Sequence, residues 1–421
     1  MRPKLTPLVL LALLTACASP TSAPPPVVIV MNPTPTTAAA AGSATLPAPE
    51  PTSTVAPTLP APTAVIVTPE TVTQYGPADF PPDVNPLTGL KVADANVLER
   101  RPLAVKVSEF PRRVRPQSGL SLADLVFEHY AEAGVTRMTA IFLSNDSPRV
   151  GSIRSARLVD VVLAEAYKAM LITSGSSEGT LSRLSLSSFY NRVIAEATGY
   201  NHCPPLCREG DTPSTNNLFA STQDLWDTTA GLGLNGRQDL HGMAFCPDPP
   251  AGGQPGATVH LNFQVKSNIT EWRYDPAAAR YARWVDTATE GELAPHTDAV
   301  NGQQITAANV VVVYTNHVTT DIVEDFGGGG HCGYEIQLWG SGPAKLFRDG
   351  LAYDLKWVRF ANADLIGFVG PDNTIFPFKP GNTWFEVLNV DSPTEFADGL
   401  FTARFRGPSQ SEGCPSGGQG Q

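Results

Sequence analysis

Charged residues are scarce in this chain of 421 residues, at 16% of the sequence, and acidic residues outnumber basic ones by 40 to 29. The formal charge of −11 argues against a nucleic-acid partner, which requires a concentrated basic face. No apolar run after the first residues approaches the roughly 20 residues of a transmembrane helix. The sequence also shows no repeat at solenoid or propeller periods. We therefore expect neither a nucleic-acid-binding protein, nor a membrane-spanning one, nor a repeat protein.

Motifs of common catalytic and metal sites are also missing. The glycine run at 327–330 is not followed by Lys-Ser/Thr, so it is not a phosphate loop. The segment 173–177 lacks the first glycine of the G-x-S-x-G serine motif. His296 and Asp298 lie two residues apart, but no third metal ligand has a diagnostic spacing. The sequence thus predicts no cofactor and no metal, and it leaves an enzyme unsupported.

The beginning of the chain has the layout of a secretory signal. Basic residues precede an apolar run that ends at Leu14, and small residues lead to Cys17. The stretch 14–17 resembles the lipobox of bacterial lipoproteins, which implies cleavage before Cys17 and acylation of its sulfur, for example with palmitate. We predict a signal peptide at 1–16 and a lipid anchor on the extracytoplasmic side of the cell membrane. An ordinary signal peptide with an incidental cysteine is the alternative.

A long segment after Cys17 has the composition of a disordered linker. From Ala18 to about Phe80 the chain is mainly Pro, Ala, Thr, Ser and Val, with almost no charge. Such a segment buries too little apolar surface to offset the entropy lost on ordering. We therefore predict a disordered stalk over 17–84, and a disordered tail over 407–421 on similar grounds.

The part between stalk and tail is predicted to form two domains, because about 320 residues exceed what one core usually holds. In its first half, strand-like and helix-like segments alternate, and the clearest helix covers 158–169. This order favours an α/β domain over 85–250. Later segments are short strands separated by Gly, Pro, Asn and Asp, which favours a β-rich domain over 256–406. The predicted fold class is α+β or α/β.

Five cysteines other than Cys17 lie in a compartment where disulfides persist, at 203, 207, 246, 332 and 414. Cys203 and Cys207 are four residues apart and can close on each other. A disulfide from this pair to Cys246 is the alternative, and the sequence does not choose between the two.

Short motifs spread over residues 85–406, the part between stalk and tail that is called the head below, resemble a known family. In the first half they are NPLTGL at 85–90, RPLAV at 101–105, RPQSGL at 115–120, AD at 123–124, GVTR at 134–137 and GSIRSAR at 151–157. In the second half they are PHTD at 295–298, NVVV at 309–312, KLFRDG at 345–350 and KPGNTW at 379–384. Together they resemble the YerB-like lipoproteins, a bacterial family with N- and C-terminal domains of unknown function, number 3048. The resemblance implies a two-domain extracytoplasmic lipoprotein without an established activity.

One segment departs from the pattern of that family. Where the family carries a Pro-His-Asn-Leu-Tyr-like stretch, this chain has TNNLF at 215–219. Asn216 therefore occupies the position of the histidine. The departure argues against a mechanism that needs a histidine general base there.

Arg137, Arg154 and Arg157 are the main candidates for a binding site. Arg154 and Arg157 flank the point at which a loop enters the predicted helix, and a helix N-terminus with added guanidinium groups favours anions. Hydroxyl residues follow the next predicted strand, and we expect them to line one crevice together with the arginines. These are Ser174, Ser176 and Ser177, and the secondary candidates are Glu128, Asn217, His296 and Asp298.

The sequence leaves three functions open. The first is a binding module for an anionic ligand of the cell envelope, a wall polymer or an envelope protein. The second is a hydrolase or transferase acting on cell-wall material in the same crevice as the arginines, with Glu128, Glu178 or Asp298 as acid or base. The third is a scaffolding lipoprotein, which is favoured if the arginines are fully paired with Asp or Glu residues such as Asp124, Glu128 or Asp160.

Overall fold

A computed structural model of the chain describes residues 74–210, 215–264, 267–325 and 330–408. The predicted signal peptide, Cys17, most of the predicted stalk and nearly all of the predicted tail lie outside the described residues.

Helices are few and short in the part of the chain that the structure describes. The α-helices are α1 (Leu158–Ala166), α2 (Glu178–Ser185) and α3 (Thr222–Gly231). Single turns of 3-10 helix lie at Ala95–Leu98, Arg112–Val114, Leu120–Leu122, Tyr190–Arg192 and Glu196–Thr198. None of these described helices has the length and hydropathy that crossing a bilayer requires.

Strands make up most of the regular structure. In the first half they are β1 (Leu103–Ser108), β2 (Leu125–Glu132), β3 (Val135–Phe142), β4 (Val150–Gly151), β5 (Met170–Ile172), β6 (Val193–Ile194), β7 (Cys207–Arg208), β8 (Leu218–Ala220) and β9 (Ala244–Phe245). The second half begins with β10 (Gln254–Pro255), β11 (Thr258–Gln264), β12 (Ser267–Asp275), β13 (Arg280–Asp286), β14 (Leu293–Pro295), β15 (Thr306–Ala307), β16 (Asn309–Thr315) and β17 (His317–Asp325). It continues with β18 (His331–Ile336), β19 (Gly340–Arg348), β20 (Leu351–Arg359), β21 (Gly367–Val369), β22 (Pro377–Phe378), β23 (Thr383–Asn389), β24 (Thr394–Ala397) and β25 (Leu400–Arg404).

One mixed sheet runs through both halves of the head, in the order β10-β20-β19-β16-β23-β2-β3-β1-β5-β6. The halves join where β2 lies parallel to β23, with Glu128 opposite Glu386. Parallel pairing next to helical connections is limited to β1, β5 and β6 at one end. The described chain is therefore mainly β, as predicted for the second half. The α/β domain predicted for the first half is not clearly formed, because most of its strands pair antiparallel or with the second half.

The two faces of this large sheet carry different cores, because successive residues of a strand point to opposite sides. On one face, here called the helix face, Leu125 and Phe127 pack with Leu163 of α1. On the opposite face, Val126 belongs to a core shared with Trp272 of the second sheet, ordered β14-β13-β12-β11-β25-β24. Every residue of β1 and β23 is buried, as expected for strands that are covered on both sides.

The folded head begins earlier than the predicted boundary at Asn85. Tyr75 exchanges two backbone hydrogen bonds with Phe245, at 2.9 and 2.8 Å. The ring of Phe80 lies 6.4 Å from the ring of Phe245, centroid to centroid. These aromatic residues supply the apolar surface that the preceding Pro- and Thr-rich segment lacks, so the end of the predicted stalk packs on the head.

The first of the two disulfide alternatives is present. Cys203 and Cys207 are bonded to each other, with their Cα atoms 4.6 Å apart. This disulfide closes a small loop that leads into β7, and it excludes Cys246 as the partner of either residue.

Candidate functional site

The hairpin of β2 and β3 positions the first predicted arginine. Arg137 lies opposite His129, near the turn at Gly134, whose φ of 78° suits a glycine. Its Nη2 atom is 3.0 Å from Oε1 of Glu132, and its Nη1 atom donates a 2.7 Å hydrogen bond to the carbonyl of Ser155. Arg137 therefore connects the hairpin to the loop before α1.

Arg157 lies between two carboxylates that come from distant parts of the chain. Its Nε atom donates a 2.7 Å hydrogen bond to Glu132, and its Nη1 atom is 3.2 Å from Oε2 of Glu324 in β17. The side chains of Arg157 and Glu324 are 6% and 0% exposed. Burial opposes the charge of Glu132, but Arg137 and Arg157 outweigh it and lower the pKa of Glu132 to about 2. Glu132 is therefore ionised and holds both arginines in place.

Arg154 differs from the other two arginines in its partners. Its Nη1 atom donates a 2.6 Å hydrogen bond to Oδ1 of Asn216, an uncharged group. Among the described residues no carboxylate lies within ion-pair distance of Arg154, whose side chain is only partly buried. Burial and the neighbouring charge of Arg157 lower the pKa of Arg154. Arg154 is thus the cation of this group that is open to solvent and not matched by a carboxylate.

The serine loop after β5 lies against the segment that carries the arginines, as the sequence predicts. The backbone N–H of Ser174 donates a 3.1 Å hydrogen bond to the carbonyl of Arg154. The N–H of Ala156 donates a 2.8 Å hydrogen bond to the carbonyl of Gly175. Two backbone hydrogen bonds therefore fix the loop beside the start of α1.

The hydroxyls of this loop have different roles. Ser177 is the N-cap of α2, and its Oγ atom accepts a 3.3 Å hydrogen bond from the N–H of Thr180. The Oγ atom of Ser176 is buried and has no hydrogen-bond partner within the described part of the chain. A buried hydroxyl without a partner costs free energy, and a ligand group that reached Ser176 would relieve this cost.

A second buried ion pair, between Lys106 and Asp160, is hydrogen-bonded to the backbone of Arg157. Nζ of Lys106 is 2.8 Å from Oδ1 of Asp160, and Oδ2 of Asp160 accepts a 2.6 Å hydrogen bond from the N–H of Arg157. Burial lowers the pKa of Lys106 to about 8, against the effect of Asp160. Burial and Lys106 lower the pKa of His129 to about 3, so this histidine is neutral at physiological pH. Nε2 of His129 is 2.5 Å from Nζ of Lys106.

Positive charge exceeds negative charge within this group of side chains. We call Arg137, Arg154, Arg157, Glu132 and Glu324 the arginine cluster. Together, the arginine cluster and the adjacent Lys106–Asp160 pair contain four cations and three carboxylates among the described residues. Burial and repulsion from Arg157 lower the pKa of Arg137 to about 9. The arrangement can hold an anion, which would balance the remaining positive charge.

Glu128 lies on the opposite face of the sheet from the arginine cluster. It directly precedes His129 in β2, and neighbouring residues of a strand point to opposite sides. Its Oε1 atom accepts a 2.8 Å hydrogen bond from Thr136, and its Oε2 atom is 2.5 Å from Nη2 of Arg283. The expectation that Glu128 shares a crevice with the arginines is therefore not met, and strand alternation is the physical reason.

Glu128 belongs to a separate group, here called the carboxylate network, which consists of Glu109, Glu128, Glu386, Arg115 and Arg283. The three carboxylates and Arg283 have no exposed side-chain surface. Nε1 of Trp272 donates a 2.8 Å hydrogen bond to Glu386. Burial and the nearby charge of Glu128 raise the pKa of Glu386 well above its usual range. Burial also raises the pKa of Glu109.

His296 and Asp298 are structural in their contacts. Nε2 of His296 is 2.5 Å from Oε1 of Gln117, and the ring is buried beside Arg283. Burial, reinforced by Arg283, lowers the pKa of His296 well below its usual range. The carboxylate of Asp298 accepts hydrogen bonds from the backbone N–H groups of Gly119 and Ser121, at 2.9 and 2.8 Å. Both side chains are inaccessible to a ligand.

Asn217 and Glu178 lie near the site without joining the arginine cluster. Oδ1 of Asn217 accepts a 2.8 Å hydrogen bond from Arg208, and its Nδ2 atom donates to the carbonyl of Glu209 at 3.1 Å. Glu178 is exposed in the first turn of α2. Neither residue contacts Arg137, Arg154 or Arg157 through a hydrogen bond or an ion pair.

The sequence does not predict the carboxylates that pair with the arginines. Asp160 is among the candidate partners in the sequence, but Glu132 and Glu324 are not. Glu132 has a usable signal, since it comes just before an Ala-Gly turn between two strand-like segments and so faces the start of the next strand. Glu324 has none, because β17 reaches the cluster only through tertiary contacts.

Comparisons with known proteins agree with this architecture. Residues 87–235 match the N-terminal domain model, and residues 259–385 the C-terminal domain model, of "Protein of unknown function (DUF3048)". "Putative lipoprotein YerB" of Bacillus subtilis (strain 168) is 28% identical over 307 residues, which cover 72% of this chain and 85% of that protein. The crystal structure of YerB protein from Bacillus subtilis superposes with a TM-score of 0.57 at 28% identity, and covers 72% of this chain and 96% of that one. The matched ranges include every residue of the arginine cluster.

Proposed function

The chain belongs to the DUF3048 family, whose domains have unknown function, and from this premise we propose that it is a lipid-anchored binding module outside the cytoplasm. Its head binds an anionic group of the cell envelope at the arginine cluster. Carboxylate- or phosphate-bearing wall polymers are the class of ligand that this chemistry selects.

The unmatched charge of Arg154 is the observation that carries the proposal. Four cations face three carboxylates in the arginine cluster and the Lys106–Asp160 pair, and among the described residues the guanidinium of Arg154 hydrogen-bonds only to the amide of Asn216. Uncompensated charge in a partly buried site is unfavourable. An anion that contacts Arg154 removes this imbalance.

The other two arginines prepare the site for the ligand. Glu132 and Glu324 hold Arg157, and Glu132 with the Ser155 carbonyl holds Arg137, so neither side chain has to be ordered on binding. Preorganised charges bind more tightly because the entropy cost has been met during folding. In this arrangement Arg154 contacts the anion, and Arg137 and Arg157 provide a fixed positive potential behind it.

The anchor is the second part of the proposal. The lipobox-like stretch before Cys17 supports acylation of this residue, and the protein named "Putative lipoprotein YerB" is a relative in keeping with it. A Pro- and Thr-rich linker between Cys17 and the head belongs to the same proposal. Cys17→Ser is expected to release the protein from the membrane fraction, and a variant that still sediments with membranes contradicts this part.

Titration of the full-length Cys17→Ser chain with poly(glycerol phosphate) and with polyglucuronate tests the binding function. We expect one of the two polyanions to bind, with an affinity that falls as salt rises, because exposed charges are screened within about 10 Å at 0.1 M salt. Neutral polyglycerol is the matched control and is expected not to bind. Absence of binding by both polyanions, or equal binding of the neutral polymer, contradicts the proposal.

A further inference from the structure

A groove of about 470 Å³ lies on the helix face, next to the arginine cluster along α1. The face of α1, the end of α2 and the segment that follows β18 line it. Two of its lining residues are large and exposed: Leu186 at 82% and Trp339 at 44%. Exposed aromatic surface inside a groove is characteristic of binding sites, whereas single apolar residues scattered on a surface are common and carry no such meaning.

The segment that carries Trp339 is fixed by a hydrogen bond to Arg359. The buried guanidinium of Arg359 donates hydrogen bonds to the carbonyl oxygens of Leu338, at 3.1 Å, and Asp364, at 3.0 Å. It also bonds to the carbonyl of Asn362, another lining residue. One arginine thus fixes the segment before Trp339 and the neighbouring loop to each other, so the groove is formed before any ligand binds.

Charged groups without partners stand beside this aromatic surface. Arg183 and Glu335 both line the groove, and neither makes a hydrogen bond or an ion pair with another described side chain. Glu165 lies in the same groove and accepts a 3.2 Å hydrogen bond from Ser188. The groove therefore combines the apolar ring of Trp339 with one cationic donor and two carboxylate acceptors.

We propose that this groove binds a sugar ring of a polysaccharide, with the ring stacked on Trp339 and its hydroxyls bonded to Arg183 and Glu335. A pyranose has an apolar C–H face and a rim of hydroxyls that donate and accept, which matches this combination. An apolar protein segment fits less well, because it would cover Arg183 and Glu335 without pairing them. The volume of about 470 Å³ falls within the range usual for small-ligand sites.

This inference goes beyond the proposed function and does not require it. The groove begins at Leu158, one residue after Arg157, so the two sites are neighbours along α1. A charged glycan can therefore contact both sites, yet a neutral sugar needs only the groove. The two proposals can for this reason be tested separately.

The test is a calorimetric titration of the full-length Cys17→Ser chain with a neutral probe, the tetramer of β-1,4-linked N-acetylglucosamine. We expect Trp339→Ala to raise the Kd about tenfold or more, since the stacking surface is lost. Phe360→Ala is the matched control, because Phe360 is 79% exposed and does not line the groove. It is expected to bind the probe as the parent chain does.

Other variants separate the possible outcomes. Arg154→Ala is expected to leave binding of the neutral probe unchanged, whether or not the arginine cluster binds an anion. The inference is overturned if the parent chain does not bind the tetramer, or if Trp339→Ala binds it equally well. A dimer in sedimentation that Trp339→Ala dissociates also overturns it, because the groove would then accommodate a second copy of the chain.

Discussion

The arginine cluster and the carboxylate network lie on opposite faces of the same strands, and they differ in accessibility and in charge. The carboxylate network is closed: Glu109, Glu128, Glu386 and Arg283 have no exposed side-chain surface. The arginine cluster reaches solvent at Arg154 and carries more cations than carboxylates. A strongly shifted pKa occurs on both faces, so it does not by itself identify a binding site. Access to solvent and unmatched charge distinguish the two.

The largest effect is expected in the closed network. Arg283→Met leaves Glu128 and its neighbouring carboxylates without their central cation, and we expect the free energy of unfolding to fall by about 3–5 kcal/mol. Urea denaturation measures this loss. Arg273→Met is the control, with an expected change below about 1 kcal/mol, because the side chain of Arg273 is 43% exposed. A loss for Arg283→Met no larger than that of the control would show that the network is not a buried unit.

A somewhat smaller loss is expected within the arginine cluster. Arg157→Ala leaves Glu132 and Glu324 buried with one cation fewer, and we expect the protein to lose about 3 kcal/mol of stability in urea denaturation. Arg157→Lys should recover part of it, since a cation remains. If Arg157→Ala is as stable as the parent chain, Arg157 is not held between the two carboxylates and can be a direct ligand contact.

The two faces are also expected to respond to pH in opposite directions. On the helix face, Glu132 has a pKa of about 2 in the folded chain, below its ordinary value of 4.5. Its contribution is present above pH 4.5 and is lost as the pH falls towards 2, by about 2–3 kcal/mol. Glu132→Gln should remove this acid-side slope in unfolding measurements between pH 6 and 2. An unchanged slope would mean that Glu132 is not ionised by the arginines.

On the opposite face the sign is reversed. The pKa of Glu386 is raised in the folded chain, so its contribution is present below pH 4.5 and is lost as the pH rises towards the raised value. Glu386→Gln keeps a neutral group and its acceptor for Trp272. We expect the variant to match the parent chain in acid and to exceed it in stability at pH 8. A variant that is less stable at pH 8 contradicts a neutral Glu386.

Local features of the fold could be predicted from the sequence, whereas the pairing of its halves could not. β1, β3 and the start of α1 follow from apolar residues with the period of a strand or a helix. The parallel pairing of β2 with β23 joins segments far apart in the chain, and no local pattern encodes it. The local sequence also does not show that Glu128 lies on the face opposite the helix face, because which side of a strand faces which core depends on the elements that cover it.

The candidate site was predictable to a similar degree. The arginine segment and the serine loop are neighbours because a loop entering a helix and the end of the adjacent strand meet at one edge of the sheet. The sequence does not distinguish the three arginines. Only the structure shows that Arg137 and Arg157 are paired with carboxylates and that Arg154 is not.

Arg154→Ala is a direct test of whether Arg154 binds the anion, because it removes the cation assigned to the ligand and no buried ion pair. We expect it to change the free energy of unfolding by no more than about 1 kcal/mol and to weaken poly(glycerol phosphate) or polyglucuronate binding about tenfold or more. Arg113→Ala removes an exposed arginine elsewhere and should change neither quantity. If Arg154→Ala binds the polyanion as tightly as the parent chain, or loses several kcal/mol of stability, Arg154 is not the ligand-binding cation and the account is contradicted.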